Sequence, residues 1–366
     1  MTGESRRKDE QKRGVLMMKA VVLQAGNKFA LEEIPKPELK GNGDVIVKVT
    51  TAAICGSDVH AKHGLIPGYT PGTIMGHEFV GVVDEVGPNV INFKPGDRVS
   101  AAAATWCGTC PACKRGEVQY CSHGGVWGGG EIFGPGLPGA HTSYIRVPNA
   151  DNCLVSIPDN VADEQAVFVG DVLSTGYHAA REGHIQTGDR VAVFGCGPIG
   201  LGALISAWQF GPKEVFAVDM LDNRLAVAKE YGATALDGRD TDVVERIREA
   251  THGEGVDVAI EAIGNPHAFE QALKSVRRGG TVSVVGLFPA PVEFPIHQLS
   301  FYGVKVSMGL GNLCHMNQLM GLLECGRVNL SRLATHVFSL DKAIEAYDLF
   351  EFHREKCIKV LLKPQV

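Results

Sequence analysis

The 366-residue sequence contains no run of 18 apolar residues, so no segment has the make-up of a membrane-spanning helix. It also lacks a strong excess of charge. The formal net charge is −6, from 35 Lys and Arg against 41 Asp and Glu, which disfavours nucleic acid as a partner. No internal repeat of about 20–50 residues appears. The 45 glycines follow no fixed period, which excludes collagen-like and linker readings. No apolar stretch follows the polar, mixed-charge segment Met1 to Met17, so it does not read as a secretory signal. We expect residues 1–17 to be a disordered extension, with the fold starting at Met18.

What is present is distributed unevenly. Apolar residues make up 45% and charged residues 21%, ordinary values for a globular chain. The length suits two domains rather than one core. Four of the ten cysteines, Cys107, Cys110, Cys113 and Cys121, fall within fifteen residues. A disulfide framework needs no such clustering in a chain this long, whereas metal ligation does. Clustered thiols without an export signal point to the cytoplasm.

From Met18 to about Pro158 short β-branched runs alternate with Gly and Pro: Val45–Val49, Val80–Val86, Arg98–Ala101 and Tyr144–Val147. From about Asp171 the rhythm changes. Strands Val191–Phe194, Val215–Asp219, Val256–Glu261 and Thr281–Val285 alternate with helices Pro198–Phe210, Asp222–Tyr231 and Pro266–Val276. Such alternation predicts βαβ units and a parallel sheet. After about Met308 the character mixes again and ends on the strand-like Ile358–Leu362. The expected class is α/β. A β-rich catalytic domain (residues 18–170 and 309–366) wraps around a doubly wound, Rossmann-type domain (residues 171–308).

The run Val191 to Gly200 places G-x-G-x-x-G between a buried strand and a helix. Gly195 permits the tight turn, Gly197 lets backbone approach a pyrophosphate, and Gly200 allows close helix–strand packing. Pro198 and Ile199 open the helix whose N-terminus would hold the phosphates. Asp219 ends the next strand, 19 residues after Gly200. Its carboxylate would accept hydrogen bonds from ribose hydroxyls and repel a 2′-phosphate, which favours NAD over NADP. Arg224, a helical turn further on, complicates that preference. Val285 closes a later strand at the same end of the expected sheet.

Cys107-x2-Cys110-x2-Cys113-x7-Cys121 suits four thiolates around one tetrahedral zinc, with no position left for substrate. An iron–sulfur centre also takes four cysteines. Upstream, Cys55-Gly-Ser57-Asp-Val-His60 and Gly76-His77-Glu78 carry further metal-binding types. Taken alone, a single buried Cys or His is more often a core residue than a ligand.

Together these segments decide more. Gly76 to Gly87 fits G-H-E-x2-G-x5-G at every fixed position. With the four-cysteine spacing and the glycine turn, in that order, the chain from Met18 to Lys363 resembles the zinc-dependent medium-chain alcohol dehydrogenases. Within them it is similar to the formaldehyde-dehydrogenase-like branch, through Val169-Gly-Asp171-Val-Leu-Ser-Thr175-Gly-Tyr. The resemblance implies a GroES-like catalytic domain, a Rossmann domain, two zinc ions per chain, NAD, and a homodimer or homotetramer. It implies Cys55, His77 and Asp171 as catalytic zinc ligands, with Asp171 standing where many members carry a second Cys. Glu78 matches the acidic residue beside the zinc, where ligation and a place just behind the ligands both suit it. Ser57 and His60 match proton-relay positions, and Thr175 a residue beside the nicotinamide.

The implied reaction moves a hydride between an alcohol carbon and NAD, giving an aldehyde or ketone. Zinc lowers the pKa of bound water from about 15.7 to about 7, and acts similarly on a bound alcohol. Ala103 stands where some members have a bulky aromatic, so the pocket is roomier unless Trp106 or Trp127 fills the gap. The Gly- and Pro-rich stretch Gly124–Gly139, with Trp127 and Phe133, suits a pocket wall, an oligomer contact or plain packing. A polyol, sugar or amino-alcohol dehydrogenase would share all these features. A non-catalytic nucleotide-binding relative would not need the set Cys55, His77, Asp171, Ser57 and His60. A quinone-reductase-type relative would lack both zinc sites.

Overall fold

The computed structural model describes residues 16–130, 133–240 and 242–364. Of the expected extension, residues 1–15 lie outside the described residues, and Met17 already belongs to the first strand, paired with Pro35.

Fifteen strands build three sheets among the described residues. In chain order they are β1 (Met17–Gln24), β2 (Lys28–Pro35), β3 (Val45–Ala53), β4 (Glu78–Val86) and β5 (Arg98–Ala101). Then come β6 (Tyr144–Val147), β7 (Leu154–Ser156), β8 (Arg190–Phe194), β9 (Glu214–Asp219) and β10 (Thr234–Asp237). The last are β11 (Val256–Glu261), β12 (Val276–Val284), β13 (Lys305–Met308), β14 (Ala334–Ser339) and β15 (Lys359–Lys363). β1 and β2 form an antiparallel ribbon. A seven-stranded sheet runs β14-β15-β3-β4-β5-β7, with β6 also on β3.

The six-stranded sheet is parallel throughout, in the order β10-β9-β8-β11-β12-β13. Renumbered from its first strand, that order is 3-2-1-4-5-6, the doubly wound arrangement. Its chain order reverses between β8 and β11, and ligands bind beyond the strand ends at such a switch point. Apolar side chains cover both faces. Ala192, Phe194, Phe216 and Val282 pack one side, and Val191, Val193, Val215 and Ile260 join the large core on the other. The helix Pro198–Ala207 is buried over most of its length, which explains its nearly all-apolar sequence.

The expected strands and helices of the parallel region are present, with ends shifted by a residue or so, except that the helix from Pro198 stops at Ala207 and a 3₁₀ turn carries on through Trp208–Phe210. β12 is the larger departure. It starts at Val276 rather than Thr281, because Val276 pairs with Val256 before a bulge at Arg277–Gly280 breaks the register. The final strand β15 lies outside the parallel sheet and pairs with β3, so the C-terminal segment joins the seven-stranded sheet.

Candidate active site

The four-cysteine lobe is a local structure. A short helical turn, Pro111–Lys114, and a 3₁₀ turn, Val118–Tyr120, bring the sulfurs together. Cys110 Sγ lies 3.5 Å from Cys113 Sγ and 3.8 Å from Cys121 Sγ, and Cys121 Sγ lies 3.6 Å from Cys107 Sγ. Backbone amides of Cys110 and Thr109 donate to Cys107 Sγ, and those of Cys107 and His123 donate to Cys121 Sγ. The Thr109 hydroxyl and amide draw the Cys107 thiol down to about 5. Burial and the neighbouring thiols push Cys113 up to about 12. Four sulfurs this close cannot all be anionic without a cation between them. The donor set fits zinc in a closed tetrahedral site.

The second cluster is assembled from distant segments. Ala53 pairs with Glu78 across β3 and β4, which brings Cys55 just past one strand beside His77 just before the other. Asp171 comes from a wide π-type turn, Val169–Leu173, of the kind often found at functional sites. Ligand atoms of Cys55, His77, Glu78 and Asp171 all lie within 4.8 Å of one another. Asp171 Oδ2 is 3.9 Å from Cys55 Sγ and 3.7 Å from His77 Nε2. Thr175 Oγ1 donates to Asp171 Oδ1 at 3.0 Å and so fixes the rotation of that carboxylate. Ser57 Oγ lies 3.5 Å from His77 Nε2.

Burial pushes the Cys55 thiol up, but the Lys359 ammonium and His77 outweigh it and bring it to about 7. Burial also opposes the Asp171 carboxylate, and His77 more than compensates, holding it below the usual range. Glu78 is fully buried, with Oε1 on Lys359 Nζ and Oε2 without a partner among the described residues. A buried carboxylate with one oxygen unpaired, grouped with a thiol, an imidazole and a second carboxylate, is a donor set that a divalent cation would satisfy.

Two contributors escaped the sequence analysis. Asp58 Oδ2 accepts from the Cys55 backbone amide at 2.9 Å, and its Oδ1 stands 3.6 Å from His77 Nδ1. A carboxylate there orients the imidazole and raises its basicity. Its signal was the third position after Cys55 in the motif. Lys359, 1% exposed, reaches the site from β15 because Ile54 donates to the carbonyl of Val360. A lysine inside the apolar run Ile358–Leu362 was the available hint.

The glycine turn stands at the switch point. Gly195 has φ +91°, and a Cβ on Gly200 would sit 1.7 Å from the Gly195 carbonyl oxygen. Gly197, by contrast, has open space where a Cβ would be, with nothing nearer than Arg224 Nη1 at 3.7 Å. That space joins a cleft of about 390 Å³, also lined by Pro198, Ile199, Val285 and Arg224, and by Cys55, His77 and Asp171. One cleft therefore touches both the metal-binding cluster and the phosphate-type turn. Asp219 sits behind the lining. Its Oδ2 accepts from the Cys196 amide at 2.7 Å and from Arg224 Nη1 at 3.5 Å, and its Oδ1 from the Leu221 amide. Arg224 faces the cleft more directly than Asp219 does.

Ser57, His60 and Thr175 also line the cleft. Burial lowers the His60 pKa, helped by Arg354 and His63. Ala103, Trp106, Val126 and Phe133 contribute walls. Trp127 does not. It is fully buried, donates from Nε1 to the Ala102 carbonyl at 2.7 Å and packs edge-on against Phe79.

Comparison with known proteins agrees with this geometry. Residues 41–159 match the family model for the alcohol dehydrogenase GroES-like domain, and residues 198–323 that for zinc-binding dehydrogenases. An alcohol dehydrogenase of Cupriavidus necator is 36% identical, covering 95% of this chain and 99% of its own. The structure of alcohol dehydrogenase TADH from Thermus sp. ATN1 superposes with a TM-score of 0.89 at 38% identity, over 94% of this chain and 99% of that one. An E. coli CFT073 alcohol dehydrogenase complexed with NADH superposes with a TM-score of 0.86 at 30% identity, over 95% and 99%.

Proposed function

The chain belongs to the zinc-dependent medium-chain alcohol dehydrogenase family, and from that premise we propose that Cys55, His77 and Asp171 hold the reactive zinc and that NAD is the preferred cofactor. It is a zinc-containing, NAD(P)-dependent oxidoreductase acting on alcohols. The observation that carries the finer reading is the convergence of three distant segments on one wall of the cleft that the glycine turn also lines. When bound, zinc would acidify the alcohol hydroxyl or polarise the carbonyl, and the nicotinamide would take or give the hydride.

The chain's own residues do the positioning. Thr175 holds the Asp171 carboxylate, and Asp58 holds both the Cys55 backbone and the His77 ring. Lys359 pairs with Glu78 Oε1, the oxygen that stands 4.0 Å from His77 Nε2, and so holds the Glu78 carboxylate at the edge of the cluster. Ser57, beside His77, takes the hydroxyl proton as it gives up its own towards the ribose and His60, and from there to solvent; Ser57 and His60 both line the cleft. Gly195, Gly197 and Gly200 shape the turn whose free backbone amides receive the pyrophosphate. Asp219 accepts from the adenosine ribose, while Arg224 neutralises part of its charge.

Further parts of the reading have their own support. The segment Val169–Tyr177 supports the formaldehyde-dehydrogenase-like branch. Exposed Phe301 and Met308, beside and on the edge strand β13, support a homodimer or homotetramer. Ten free cysteines support a cytoplasmic setting. The path of β15 supports residues 18–170 and 309–366 as one domain around residues 171–308. No helix among the described residues is long and apolar enough to cross a membrane.

The test is an alcohol panel read by NADH absorbance, with metal content measured on the same sample. We expect turnover and two zinc ions per chain. The Asp171→Ala variant should lose one zinc and keep the other. Equal loss of both would overturn the ligand assignment.

A further inference from the structure

We propose that Gln119 is a specificity-determining residue whose side-chain amide recognises a second hydroxyl on the substrate, so that diols are better substrates than the matching mono-alcohol. The proposal rests on the reading of the cleft as the alcohol site.

Gln119 lies on the turn Val118–Tyr120, inside the four-cysteine lobe and two residues before Cys121. It lines the same cleft as Cys55, His77 and Asp171. The walls it shares are apolar, formed by Trp106, Val118, Val126, Phe133 and Leu313. Three other polar groups of the cleft have protein partners. Ser57 meets His77, Thr175 donates to Asp171, and Lys359 pairs with Glu78. Gln119 does not. Its Oε1 is shielded from solvent and has no hydrogen-bond partner among the described residues.

A shielded, unpaired amide oxygen is costly, and native structures hold few of them. Nothing in the fold requires one here, because the side chain is only partly buried and its last torsion is soft. Turning the amide towards the cleft breaks no existing hydrogen bond to its oxygen. A substrate hydroxyl both donates and accepts, so either end of the amide can meet it. The turn itself is held in place. Cys121 donates to the Val118 carbonyl at 3.1 Å, and Asn312 Nδ2 donates to the Gly116 carbonyl at 2.6 Å. The lobe thus builds one wall of the cleft as well as closing around its own metal. A mono-alcohol leaves the Gln119 amide unpaired, whereas a diol of suitable spacing does not. Sites built to pair a hydroxyl discriminate against analogues that lack it.

The experiment compares kcat/KM of the zinc-loaded, full-length enzyme with NAD on 1-butanol and on 1,2-, 1,3- and 1,4-butanediol. We expect at least one diol to exceed 1-butanol by about tenfold or more. Gln119→Met keeps the side-chain shape and removes the amide, and should collapse that ratio to within about threefold. Gln119→Leu is the second variant, with zinc content and melting temperature confirming that the lobe is intact. A wild-type enzyme with no preferred diol overturns the proposal. So does a diol preference that survives in a folded variant of either kind. No NADH from any of the four alcohols would instead refute the reading of the cleft as the alcohol site.

Discussion

Replacing Lys359 by Met should weaken the metal-free fold severely and the zinc-loaded fold much less. Lys359 and Glu78 are 1% and 0% exposed, so neither charge reaches water. Burial works against the ammonium, but Cys55, Glu78 and Asp171 around it outweigh that and hold it protonated. Lys359→Met leaves the Glu78 carboxylate buried beside two other anionic groups. Removing one partner of a buried pair costs about 3–5 kcal/mol. In a folding unit of about 150–250 residues, one kcal/mol moves Tm by about 2–4 °C. The expected loss is therefore about 6–20 °C without metal. A dication among the same anions would supply much of the missing charge, so the loss should shrink once zinc is bound. The double variant Glu78→Gln, Lys359→Met removes both charges and should recover part of the loss, a coupling that the cycle isolates. Differential scanning calorimetry of wild type and variants, with and without chelator, measures all of this. A shift under about 2 °C in the metal-free protein, or a larger loss with zinc than without, would refute the reasoning.

Other consequences follow from the same geometry. Gly200→Ala forces a Cβ to within 1.7 Å of the Gly195 carbonyl, so the turn must deform; NADH affinity by fluorescence titration should fall by more than about tenfold, since a 1 kcal/mol loss is already about fivefold, and an unchanged Kd would clear the turn of its role. Asp219→Asn should lower the preference for NAD over NADP in kcat/KM by about 10–100-fold, through lost charge-assisted hydrogen bonds and a released Arg224. The idea fails if that ratio does not move. Glu351 supplies a pH test. Burial pushes its carboxyl up, but hydrogen bonds from Lys62 and His63 outweigh this and hold it below the usual range. Its stabilisation is complete above the ordinary Glu value of about 4.3 and is lost as pH falls through the lowered folded value. Glu351→Gln should therefore be less stable than wild type near neutral pH, with urea midpoints converging on acidification. Midpoints that stay equally far apart at low pH would count against it.

Not all of the site was equally legible. The Lys359–Glu78 pair spans 281 residues, and no local pattern announces such a contact. Trp127 and Phe133 looked alike as aromatics of one glycine-rich stretch, yet one is core and the other lines the cleft. Their separation depends on which backbone turns towards Phe79. Asp219 ends β9 as the motif requires, but its pairing with Arg224, which lines the cleft while Asp219 sits behind it, depends on how the following helix packs and not on the strand alone. The bulge at Arg277–Gly280 belongs to the pairing of β12 with β11, so it could not be seen in either strand alone.

The amino-acid order by itself determined the features whose geometry closes over a short stretch of chain. The lobe Cys107–Cys121 brings its four sulfurs together through tight local turns. The turn Gly195–Gly200 needs only a strand, a left-handed glycine and a helix start. The alternation of apolar runs with helices likewise fixed a parallel sheet before any contact was known. Tertiary structure alone decided the reactive centre. Cys55, His77 and Asp171 meet because β3 registers against β4 and a wide turn swings a carboxylate between them. Lys359 joins them because the last strand joins the seven-stranded sheet. Those distances depend on the packing of whole sheets, a property of the folded chain and not of any segment within it.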